Sequence, residues 1–99
     1  DTQDEATEVG PLITPQQRQS VSRYLEIGDS EGARRLCGGE IPGEPALAKG
    51  NYLTPAVYVN VTPGMRIAQE EIFGPVVGIQ SFEGEEQAVQ IANNSKYGL

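Results

Sequence analysis

The sequence predicts an α/β fold, a helix-strand-strand-strand-helix segment whose helices pack on a small sheet. Three observations carry that prediction. Apolar residues recur at helical spacing over 15–27 and again after Gly84. Between those stretches lie short β-branched runs that alternate or cluster as strands do. The length of 99 residues holds all of this to one domain with one modest core. A domain this short buries a smaller share of its surface than a longer one, so an isolated segment is expected to be marginally stable.

The elements follow in order. Residues 1–8 are polar and aperiodic and predict a flexible lead-in. Thr14 before Pro15 reads as an N-cap with proline at the first helical position, and Gln17 stands where a capping box would place it. Val21, Tyr24, Leu25 and Ile27 then form one stripe, and Gly28 supplies a left-handed stop. Residues 33–37 predict a short strand ended by Gly38 and Gly39, and 41–50, with two prolines and two glycines, predicts a loop. Val57, Val59 and Val61 alternate with Ala56, Tyr58 and Asn60, the period of a strand with one buried face. Thr62-Pro63-Gly64 predicts a type II turn. Val76, Val77, Ile79 and Phe82 predict a buried strand that Pro75 can open. From Gly84, the stripe Ala88, Val89, Ile91 and Ala92 predicts a helix, with Glu83, Glu85 and Glu86 at the positive end of its dipole.

Composition excludes several classes of function. Seven basic residues against fourteen acidic give a formal charge of −7. No Lys/Arg stripe could neutralise consecutive phosphates, so nucleic acid is not an expected partner. No apolar run approaches the roughly 18 residues of a membrane span, and no charged-then-apolar leader opens the sequence. The lone cysteine, Cys37, leaves no internal disulfide, and the absence of histidine leaves no Cys/His metal set. A reducing, cytoplasmic setting is the expectation. Beside a double glycine at a strand end, Cys37 itself reads as a small buried packing residue. Neither a G-x-G-x-x-G nor a G-x-x-x-x-G-K-[ST] loop is present, so any nucleotide site must be shared with other sequence.

One stretch concentrates chemistry: Ile67-Ala68-Gln69-Glu70-Glu71-Ile72-Phe73-Gly74-Pro75-Val76. Two adjacent carboxylates run into an aromatic, a glycine and a proline at the approach to a strand. A carboxylate can accept two hydroxyl hydrogen bonds from a ribose, and a phenyl ring can pack on a flat heterocycle. On residue types alone, a helix-end acid pair with Phe73 as core filler explains the same residues.

The run Gln69 to Val76 resembles the E-E-I-F-G-P-V signature of the aldehyde dehydrogenase superfamily, which is NAD(P)-dependent. Further landmarks resemble the family in family order: Gly10-Pro11-Leu12-Ile13, Gly28 with Glu31-Gly32-Ala33, Gly38-Gly39, Gly50-Asn51-Tyr52-Leu53, and Ala92-Asn93 with Tyr97-Gly98-Leu99. Thr54-Pro55-Ala56 departs from it, since many members have proline then threonine there. The resemblance covers about residues 9–99, which would be part of the family's catalytic domain. It implies that Glu71 binds the ribose next to the nicotinamide and that Phe73 packs near the nicotinamide ring. It also implies that Gln17 reaches the cofactor from the first helix, although capping explains the same glutamine. Glu70 reads as a supporting residue. The parent is implied to oxidise an aldehyde to a carboxylic acid through a thiohemiacetal, hydride transfer to NAD or NADP, and thioester hydrolysis. Members place the attacking cysteine in a segment rich in glycine and asparagine and use an upstream glutamate as base. Neither segment occurs here, and Cys37 does not match that context. The chain is therefore expected to be a segment of a homo-oligomeric parent, inactive alone and prone to self-associate through its uncovered apolar face. The competing expectation is a short non-catalytic relative that serves as an interaction or scaffold module.

Overall fold

A computed structural model describes residues 3–98; Asp1, Thr2 and Leu99, which belong to the expected lead-in and to the last landmark, lie outside the described residues. Helix α1 spans Pro15–Ser30. The Thr14 side chain accepts the Gln17 N–H at 3.0 Å, and Pro15 occupies the first turn. The Gln17 side chain does not reach back to complete a capping box; it crosses to a loop 56 residues away. Val21, Leu25 and Gly28 are the buried face.

The helix does not stop at Gly28. A Cβ there would stand 3.2 Å from Ile67 Cδ1 and 3.3 Å from Tyr58 Cε1, so this glycine lets the helix lie close on its neighbours. The left-handed residue is Gly32, at φ 92°. The Ala33 N–H bonds to the Gly28 carbonyl at 3.0 Å and the Gly32 N–H to the Asp29 carbonyl at 3.3 Å. That pair of bonds is a Schellman closure, which needs its glycine just past the helix rather than inside it.

Strands β1 (Arg34–Cys37), β2 (Ala56–Val59) and β3 (Val76–Gly78) form one sheet in the order β1-β2-β3. β1 pairs antiparallel with β2, with an irregularity between Arg35 and Cys37, and β2 pairs parallel with β3. The two-residue period of β2 holds. Its fully buried side chains are Ala56 and Tyr58, because α1 covers that face, while Val57 and Val59 are half-buried on the other. Asn60 then takes a positive φ of 58°, the strand ends, and Val61 is buried again.

Three further expectations need correction. β3 stops at Gly78, and Val77, Ile79 and Phe82 are exposed rather than buried, since β3 is an edge strand that nothing covers on that side among the described residues. The turn after β2 does close, through the Met65 N–H to the Thr62 carbonyl at 3.1 Å. Gly64 is not among the positive-φ glycines, so the turn is not type II. Cys37 is exposed, because its edge strand carries no cover on that side. A one-turn helix, α2 (Arg66–Gln69), and a 3₁₀ turn (Pro45–Leu47) fall in segments too short to show a period.

Helix α3 spans Gly84–Asn93, with Glu83 at its N-cap and Glu85 and Glu86 in the first turn. Ala88 and Ile91 are half-buried, and Val89 is exposed. Its C-terminal end is tied to the rest of the chain by Gln69, whose amide donates to the carbonyls of Pro63 at 2.7 Å and Asn94 at 2.8 Å. The core lies between α1 and the sheet: Val21, Leu25, Ala33, Leu53, Ala56, Tyr58 and Val61, flanked by half-buried Leu12, Met65, Ile67, Ile72 and Val76.

Beneath α1, Tyr58 is both filler and polar anchor. Its hydroxyl lies 2.9 Å from the Leu25 carbonyl and 2.8 Å from Asp29 Oδ1. Burial, then the Asp29 carboxylate, pushes this phenol up to about 12. Asp29 also pairs with Arg35, whose guanidinium lies 5.7 Å from the centre of the Tyr58 ring. Burial works against the charged form of Asp29, but the hydrogen bonds from Arg35 and Tyr58 outweigh it and hold the carboxyl below its ordinary range.

Candidate functional site at the 70–74 loop

The loop between α2 and β3 carries the acid pair, and the structure separates the two acids by their partners. Glu70 ends α2. Arg66 Nε and Nη2 donate to its two carboxylate oxygens at 2.8 and 2.9 Å, and the Tyr24 hydroxyl of α1 donates to Oε2 at 2.8 Å. The Arg66 fork, then Tyr24, lowers the Glu70 carboxyl to about 2. The bond to Glu70, then burial, pushes the Tyr24 phenol up from its usual value, against the opposing pull of Arg66. Both oxygens of Glu70 are thus engaged within the chain.

Glu71 is exposed, and its carboxylate has no hydrogen bond or ion pair among the described residues. Ile72 turns inward and packs against the core. Phe73 turns out again and is 72% exposed, so it is not core filler. Its φ of 56° is a left-handed conformation that non-glycine residues adopt at a cost of order 1–3 kcal/mol.

Two contacts hold that conformation. The Gln17 amide nitrogen donates to the Phe73 carbonyl at 2.7 Å and lies 3.4 Å from the Ile72 carbonyl. Gly74 presses on α1 so closely that a Cβ would stand 2.4 Å from Val21 Cγ2. Gln17, Glu71 and Phe73, the three residues singled out in the sequence, therefore meet at one loop, with Gln17 on its backbone. Glu71 also lines a cleft of about 410 Å³ with Gln69, Ser95 and Tyr97.

The sequence reading missed Tyr24 and Arg66 as anchors of this loop. The four-residue spacing of Arg66 and Glu70 was a legible signal for one of them. Tyr24 had none, because it meets Glu70 across 46 residues of chain. Among the described residues no cluster of His, Cys, Asp and Glu could hold a metal ion, and no helix is long and apolar enough to cross a membrane.

Comparison with known proteins gives this geometry a context. A betaine aldehyde dehydrogenase of Bacillus subtilis (strain 168) is 44% identical over 93 residues, which are 94% of this chain and 19% of that protein. The crystal structure of betaine aldehyde dehydrogenase from Staphylococcus aureus in complex with NAD+ matches with a TM-score of 0.94 at 43% identity, covering 97% of this chain and 19% of that one. Mycobacterium tuberculosis aldehyde dehydrogenase, crystallised with NAD+, matches with a TM-score of 0.92 at 48% identity, covering 97% and 20%. The chain thus spans about a fifth of the length of these relatives. The sequence model of the aldehyde dehydrogenase family matches residues 1–99, and with the shared fold and signature loop this shows that the chain belongs to the aldehyde dehydrogenase family.

Proposed function

We propose that this segment forms the nicotinamide-ribose side of the cofactor site in an NAD(P)-dependent aldehyde dehydrogenase that oxidises an aldehyde to a carboxylic acid. The observation that carries the reading is the alternation along one clamped loop: Glu71 out and unpaired among the described residues, Ile72 in, Phe73 out. A carboxylate with both oxygens uncommitted is suited to accept two vicinal hydroxyls, and an exposed phenyl ring beside it is suited to a flat heterocycle. Glu70, spent on Arg66 and Tyr24, is not available for that task. Gln17 keeps its carbonyl oxygen for a further donor while its amide nitrogen holds the loop.

The cofactor, when bound, supplies the hydride acceptor. The residues of this chain hold and orient it. Because the loop is fixed beforehand by Gln17 and Gly74, its ordering is not a cost of binding. We favour NAD over NADP, since relatives at 43–48% identity were crystallised with NAD+. Betaine aldehyde is the first substrate to assay, because it is named by relatives at 44–45% identity.

The test is Glu71→Gln in the full-length parent. Loss of a charge-assisted hydrogen-bond partner worth about 1.5–3 kcal/mol lowers turnover roughly 10- to 100-fold. The melting temperature is expected to hold, since Glu71 is exposed and lies outside the core. Unchanged turnover would count against the reading.

A further inference from the structure

Glu71 lies between two anchors that both belong to helix α1. On its N-terminal side, Tyr24 holds the Glu70 carboxylate at 2.8 Å, and Arg66 closes the triangle by forking onto the same carboxylate. The Arg66 guanidinium also lies 5.8 Å from the centre of the Tyr24 ring. On the C-terminal side, Gln17 holds the Phe73 carbonyl at 2.7 Å. Gln17 and Tyr24 are seven residues apart, two turns on one face of α1, a rise of about 10 Å. The loop is thus pinned at both ends of a rigid ruler, with Glu71 in the span and no hydrogen bond or ion pair of its own among the described residues. An unpartnered carboxylate takes its direction from the backbone that carries it, and here that direction is set at the neighbouring residue.

We propose that Tyr24, together with Arg66, is a positioning residue that fixes the Glu70 carboxylate and thereby aims Glu71 for the hydride-transfer step. This rests on the reading of Glu71 given above. Neither Tyr24 nor Arg66 touches the cofactor in this scheme; both act through the Glu70–Glu71 peptide. Removing one hydroxyl from Tyr24 leaves its ring in place and frees one end of the loop. That small displacement is of the kind to which turnover is sensitive, while overall folding is not.

The experiment is a double-mutant cycle in the full-length parent, with Tyr24→Phe, Glu71→Gln and the pair, reading kcat, KM for NAD and melting temperature. Tyr24→Phe is expected to lower kcat about tenfold with the fold intact, and to cause no further loss in the Glu71→Gln background. An equal loss in both backgrounds overturns the proposal, because Tyr24 would then act on something other than Glu71. An unchanged kcat in Tyr24→Phe overturns it as well. If Glu71→Gln alone leaves kcat intact, the ribose-holding reading itself fails, and positioning fails with it, an outcome distinct from additivity. Should Tyr24→Phe lower the melting temperature sharply, Arg66→Lys takes its place in the same cycle, since it keeps the charge but loses the two-pronged grip.

Discussion

A methyl group on Gly74 would stand 2.4 Å from Val21 Cγ2, inside any real carbon–carbon contact, and Val21 is fully buried. Gly74→Ala must therefore push the loop off α1 or displace Val21, at about 1–3 kcal/mol as for other overpacked sites, measurable by denaturant unfolding. Glu70 gives a residue-scale prediction in pH. Its folded-state pKa of about 2 lies below the ordinary 4.5, so its stabilising contribution is complete above about pH 4.5 and is lost as pH falls toward 2. Glu70→Gln is expected to flatten that acid-side loss in melting temperatures taken across this window; an unaltered profile would show that other groups cause it. At this scale residue types alone drew the eye to the 70–73 stretch but did not tell its two acids apart. Without the family resemblance, two adjacent glutamates read alike until Arg66 and Tyr24 are seen to occupy one and leave the other, and only the Arg66 half of that arrangement is local in sequence.

Elements were legible where local chemistry sets them. The start of α1 needs only Thr14 and Pro15, and the stripe through Val21 and Leu25 is the face that is buried. Its end was misread because two glycines compete for the role, and the one chosen, Gly28, serves close packing against Tyr58 and Ile67. Gly32 is the residue that must be left-handed, and a Cβ there meets nothing within 4 Å, so substitution is penalised by the backbone alone. Gly32→Ala is expected to cost about 1–2 kcal/mol in unfolding free energy without altering turnover in the parent. A neutral effect would mean that the Schellman closure contributes nothing to holding α1. β3 was read as buried because apolar β-branched residues make strands on both edge and central positions. Whether a helix covers them is not written in the run itself.

The whole molecule is more extended than a self-sufficient domain of its length. Its radius of gyration is 15.3 Å, against about 13 Å for a compact chain of 100 residues. Only seven apolar side chains are buried among the described residues, whereas Leu36, Val77, Ile79 and Phe82 are each about half exposed or more. Such a surface favours association with itself when nothing else covers it. The 99-residue chain is expected to show concentration-dependent mass in sedimentation velocity, and Leu36→Lys with Val77→Lys to reduce it; a monomer at all concentrations would refute this. With no cysteine in the glycine- and asparagine-rich setting that the family uses, the chain alone is expected to leave NAD unreduced across a panel of aldehydes. Steady turnover from pure material would overturn that. The intact mass of the native gene product separates a segment of a full enzyme from a short scaffold relative.

By itself the sequence determined the α/β class, the helix that opens it, a strand beginning at Ala56, and the family, because caps, periods and a long signature motif are properties of neighbouring residues. The tertiary structure decided which face of β2 is buried, which glycine ends α1, and that Phe73 stands outside the core. It also decided that Tyr24 and Gln17 grip the two ends of one loop. Those outcomes depend on groups brought together across tens of residues, and a pairing of that range leaves no periodic trace in a single chain.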